Sequence, residues 1–171
     1  MTIALLLFLI PTLLFVLAFL YETYLSFARL RNPKAGKSGY VSATWEITHT
    51  LLVTAVVMLL MMFTTVIDSL ASAIFLATFL AAIALGVRSA LYLHIFYVRT
   101  SKKTSWVDWL FAFSHVIAAA ILVLVVVQAL IFLLSNNPVP NSEFVPYFIP
   151  GIIVVIIISF APIVVLYKIK D

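Results

Sequence analysis

Six carboxylates and three histidines are the side chains of this 171-residue sequence best suited to moving protons or holding a metal. Their spacing groups several of them. Glu46 and His49 are three residues apart and Asp108 and His115 seven apart, while Glu22, Ser26 and Arg29 share a helical face, so each set lies on one side of a helix. Arg88 and His94 stand together in the stretch "LGVRSALYLHIFYVRT" at the end of a long apolar run. Carboxylates and imidazoles at such positions could relay protons, and paired histidines could hold a b-type haem. No pattern assigns a catalytic residue. With no cysteine there are no disulfides, thiolate metal sites or Cys-attached haem, and four glycines supply no phosphate-cradling loop.

The elements that must position these groups are membrane spans. Hydrophobic residues make up 65% of the chain and charged residues 9%, with a mean hydropathy of +1.27, too little polar surface to clothe a water-soluble globule. The expected fold class is an all-α, polytopic membrane protein in a cell membrane, with helices near 3–24, 46–66, 70–98, 107–134 and 145–167. Residues 1–171 form a single membrane domain, in which 1–134 is a four-helix unit and 145–167 an additional helix. No basic residue precedes the first apolar run, which is longer than a signal-peptide core and is read as helix 1, kinked at Pro11.

Charge orients the bundle. Arg29, Arg31, Lys34 and Lys37 follow helix 1, Arg99, Lys102 and Lys103 follow helix 3, and Lys168 and Lys170 lie at the C-terminus. The opposite connections, around Asp68 and "SNNPVPNSEF", hold no basic residue. The positive-inside rule therefore puts the N-terminus outside and the C-terminus in the cytoplasm. The net charge of +4 belongs to these loops and implies no nucleic-acid partner.

That orientation predicts an inward-facing polar cluster in the cytoplasmic half. Glu22 ends helix 1, Glu46 and His49 begin helix 2, Arg88 and His94 lie late in helix 3, and Asp108 and His115 open helix 4. Arg88 precedes Arg99 by eleven residues and so lies about 16 Å along the helix from it, too deep to snorkel fully. It demands a counter-ion, and a structural ion pair with one of the carboxylates or with a partner subunit is expected. For the other residues a plain reading stands beside the functional one: Glu22, Glu46 and Asp108 as headgroup-level carboxylates at helix ends, His94 as a packing residue. Of the histidines, His49 or His94 with His115 could hold one haem at most, and lone helix histidines are usually structural.

Glu22 at the end of helix 1, "TWEITHTLLV" opening helix 2, "LGVRSALYLHIFYVR" closing helix 3 and "SWVDWLFAFSH" opening helix 4 together resemble the N-terminal four-helix half of subunit II of cytochrome bd quinol oxidases. The resemblance covers residues 1–134, with Trp45, Glu46, Arg88, Asp108 and Trp109 at the matching positions. Subunit II has eight helices in two similar halves, whereas this chain has one such unit and a fifth helix without an internal repeat. Glu22 is an approximate counterpart of the family's acid, and Leu93 and His94 stand where an acid is expected.

The resemblance implies an accessory subunit that binds no haem of its own and stabilises a haem-bearing subunit I, which holds haems b and d and the quinol site. It also implies a cytoplasmic proton route with Glu22, Glu46, His94 and Asp108 as carriers and Arg88 holding them. The missing half implies a second copy or a paralogue as a further partner, beside membrane lipid. The alternatives are a b-type cytochrome anchor of a respiratory dehydrogenase or hydrogenase, using His49, His94 or His115, and a purely structural subunit of another membrane complex. A small transporter is disfavoured by the scarcity of midplane polar residues.

Overall fold

In a hydrocarbon environment the backbone must satisfy its own polar groups, so long apolar runs become helices. The computed structural model describes residues 2–31, 38–98, 105–141, 143 and 145–169, and among these residues the regular structure is entirely helical. Its helices are α1 (Thr2–Arg31), α2 (Ser38–Met62), α3 (Ile67–Leu93), α4 (Trp106–Asn136) and α5 (Val145–Ile169). Four of them are long and apolar enough to cross a membrane, and α5 carries the apolar stretch Pro146–Ala161. Outward-facing side chains are large and apolar, as at Leu17, Phe79 and Ile157, which matches lipid as the surrounding solvent. Lys34, Lys37, Arg99, Lys102, Lys103 and Lys170 lie outside the described residues.

Two boundaries differ from expectation in ways that matter. Helix 1 was expected to stop near residue 24, but α1 continues to Arg31. Its polar residues are satisfied inside the bundle: the Ser26 hydroxyl donates to the Glu22 carbonyl at 3.0 Å, and Arg29 pairs with Asp108 at 3.9 Å. At the other end of the molecule, a 3₁₀ turn over Thr64–Val66 makes the short link from α2 to α3, so helix 2 ends at Met62 and not at 66. The last turn of helix 3, His94–Val98, is π-helical. α1 is unbroken at Pro11, and beside it the Thr12 hydroxyl donates to the Phe8 carbonyl at 2.7 Å.

α1 packs against α2 and α4, α3 against α4, and α5 against α2. Small residues let α3 and α4 approach closely, with Ala81 and Ala118 buried in one cluster. The loop after α4 is held at Asn137 and Asn141. Asn137 adopts a left-handed conformation (φ 42°) that caps α4, and the Asn141 N–H donates to the Met62 carbonyl at 2.8 Å. The interior is layered. One apolar layer around Phe8, Met58 and Leu133 lies toward the 3₁₀ turn, a second around Phe19, Leu51 and Leu122 lies centrally, and an aromatic-rich layer around Tyr92 and Phe111 lies toward Arg29.

Candidate functional site

Register along the helices brings four polar residues to one level. Glu22 is nine residues from the Arg31 end of α1, Thr48 ten from the Ser38 end of α2, Arg88 ten from Val98, and His115 nine from the Trp106 end of α4. At 1.5 Å per residue each lies roughly 14–15 Å inside the same end of the bundle. They meet there. Glu22, Arg88 and His115 are each 0% exposed, and Thr48 is 1% exposed.

Arg88 is the hub of the cluster. Its Nη2 donates to Glu22 Oε1, its Nε donates to His115 Nε2 at 3.0 Å, and its guanidinium lies 4.9 Å from the centre of the Phe19 ring. Glu22 Oε2 accepts from the Thr48 hydroxyl at 3.0 Å, so each helix of the four-helix unit contributes one member. Arg88 Nη1 and the indole Nε1 of Trp45 are buried donors without an acceptor among the described residues. An isolated charge at this depth would be expensive, and the Glu22–Arg88 pair offsets most of that cost through close contact and additional hydrogen bonds.

The same bonds fix the state of His115. Because Nε2 accepts from Arg88, the ring proton sits on Nδ1, which donates to the Phe111 carbonyl at 2.8 Å. Nε2 is also 3.2 Å from Glu22 Oε1. Nε2 thus stands within reach of both the arginine and the carboxylate.

The other expected site residues are dispersed. Glu46 is exposed on the outer face of α2 and His94 is exposed at the start of the π-helical turn, so neither joins the inward cluster. Helices apolar on every side give no sequence signal for which face turns inward. Asp108 is buried but sits near the helix start, where its Oδ2 accepts from the Ser105 N–H at 2.8 Å in a capping box and its Oδ1 pairs with Arg29. The Arg29 guanidinium in turn covers the Phe96 ring at 4.3 Å. His49 donates from Nδ1 to the Trp45 carbonyl at 2.8 Å and lies against the Trp45 ring, which stacks on Tyr92 at 5.0 Å. Thr48 escaped the sequence reading. Its position four residues from Thr44 and in register with Glu22 was the available signal.

Among the described residues no group of three or more His, Asp or Glu side chains is arranged to hold a metal ion. Compared with protein-family models, curated proteins and solved structures, the chain matches none.

Proposed function

We propose that this chain is an accessory, haem-free membrane subunit of a bd-like terminal quinol oxidase, and that the buried Glu22–Arg88–His115 cluster is its structural centre and proton-exchanging element. The observation that carries this reading is the meeting of an acid, a base and an imidazole from three helices at one depth within an apolar bundle. Residues Trp45, Glu46, Arg88, Asp108 and Trp109 stand at the positions by which the sequence resembles subunit II of such oxidases. Arg88 is neutralised within the chain, which suits a subunit that folds as a unit before it joins a complex.

The exposed positions of Glu46 and His94 refine the proton route. On this reading they stand on outer faces and complete a path only against a partner subunit, while the buried cluster lies deeper and on the other side of the helix wall. By the positive-inside rule the five helices cross the membrane with the Arg29 end in the cytoplasm. A Ser38→Cys variant would then react with an impermeant thiol reagent only after the cells are opened, and labelling of intact cells would invert the orientation.

The functional test is recovery of a tagged copy in mild detergent together with a haem-bearing polytopic subunit showing quinol-dependent oxygen uptake. In that complex Glu46→Gln should slow turnover without lowering its amount, because it keeps shape but removes a titratable proton. Recovery with an iron–sulfur or hydrogenase subunit would support the cytochrome-anchor alternative, and unchanged turnover in Glu46→Gln would remove Glu46 from the route.

A further inference from the structure

A groove of about 590 Å³ opens on the outer surface of the bundle near its Arg29 end, outside the buried cluster, and is lined by Tyr24, Phe27, Ala28, Leu30, Arg31 and Trp109. We infer that it is a binding site for one anionic phospholipid, with Arg31 on the headgroup phosphate and the aromatic wall along the glycerol and upper acyl chain.

The arrangement follows the shape of such a lipid. Arg31 is the last residue of α1 and Tyr24 is seven residues deeper, which gives the groove a length of roughly 10 Å along the helix axis. Trp109, three residues into α4, stands between these levels, where indole and phenol groups favour the headgroup boundary. The wall is braced from behind, since Phe27 meets the Phe113 ring edge-on at 5.9 Å and Trp109 stacks on the same ring at 6.0 Å. Tyr21 stacks on Tyr24 at 6.5 Å and extends the aromatic surface.

Charge selects the headgroup. Arg29, two residues away, is paired with Asp108, whereas among the described residues Arg31 has no carboxylate partner and no acidic side chain lines the groove. A guanidinium binds a phosphodiester through two parallel N–H···O bonds. A phosphatidylglycerol headgroup brings one uncompensated negative charge to that fork, while phosphatidylcholine brings its own cation, so basic pockets at this level favour anionic lipids.

Trp109 supplies a local reporter. In a Trp45→Phe/Trp106→Phe variant it is the remaining indole of the three in the chain, and bilayers containing brominated phosphatidylglycerol or brominated phosphatidylcholine can be compared as quenchers. The expected result is association of the anionic lipid about fivefold stronger than that of the zwitterionic one, a preference abolished by Arg31→Gln and weakened by high salt. Native mass spectrometry of the otherwise unaltered chain gives an independent measurement, with retained phosphatidylglycerol lost in Arg31→Gln. Equal quenching by the two lipids, or a preference that survives Arg31→Gln in both measurements, would overturn the site. The second of these would assign the preference to other basic residues.

Discussion

Arg88 on α3 and His115 on α4 are joined Nε to Nε2 at 3.0 Å, and this bond determines which nitrogen of the imidazole carries its proton. The ring is thereby held between an arginine and the Phe111 carbonyl, with Glu22 Oε1 at 3.2 Å from Nε2. The cation is neutralised by the carboxylate, the carboxylate is steadied by Thr48, and the imidazole stands beside both. Structural and chemical roles therefore fall on the same atoms, and substitutions must be chosen to separate them.

The ion pair is tested by comparing a single with a double substitution. Arg88→Leu leaves the Glu22 carboxylate buried without its cation and should destabilise the chain by about 3–5 kcal/mol. Arg88→Leu/Glu22→Leu replaces the pair with apolar side chains and should recover most of that loss, although His115 Nε2 then lacks its donor. Reversible unfolding in bicelles or detergent measures both. A double variant no more stable than the single one would mean that the two charges are not coupled.

His115 makes a separable contribution. His115→Phe preserves a ring but leaves Arg88 Nε without its acceptor, at a cost of about 1–3 kcal/mol, while the Phe111 carbonyl keeps the Ser114 hydroxyl as a donor. Glutamine offers an amide oxygen as acceptor for Arg88, so His115→Gln should restore part of the stability while abolishing proton uptake at this position. If both variants lose stability equally, the ring acts through packing alone and the Arg88 bond contributes little.

Sequence made some of this legible, and the rest was hidden for identifiable reasons. The depth of Arg88 could be counted from Arg99, and a buried cation requires an anion nearby, so an ion pair was predictable. Its partner was obscured because Glu22 and Arg29 read as an interfacial end to helix 1, whereas other helices supply their partners and α1 continues to Arg31. Glu46 and Glu22 could not be ranked, since both sit among residues apolar on every face, and only packing turns Glu22 inward and Glu46 outward. Asp108 lay in plainer view. Ser105 and Asp108 have the spacing of a capping box, and the folded chain uses them as one.

That cap gives Asp108 a predicted role distinct from proton transfer. Asp108→Asn retains an oxygen that can accept from the Ser105 N–H but loses the charge facing Arg29, whereas Asp108→Ala loses both. Alanine should cost about 1 kcal/mol and speed amide exchange in the first turn of α4, with asparagine intermediate. Hydrogen exchange followed by mass spectrometry reports both. First-turn exchange unchanged in Asp108→Ala would remove the cap from the account and leave the carboxylate as a candidate carrier.

The last prediction concerns haem, because the histidines invite it and the geometry argues against it. A bis-histidine haem needs two imidazoles that each present an unengaged nitrogen to one iron. His115 has both nitrogens engaged, with the Phe111 carbonyl and with Arg88, and freeing Nε2 would strip a buried arginine of an acceptor. His49 is tied through Nδ1 to Trp45, and His94 is exposed on an outer face, away from the interior that would hold a porphyrin against His115. The chain expressed alone should therefore give no b-type band in a reduced-minus-oxidised difference spectrum. A band that persists through purification and is abolished by His115→Ala would show that the cluster opens to take up haem. It would replace the proton-exchanging reading of Glu22, Arg88 and His115 with the cytochrome-anchor alternative.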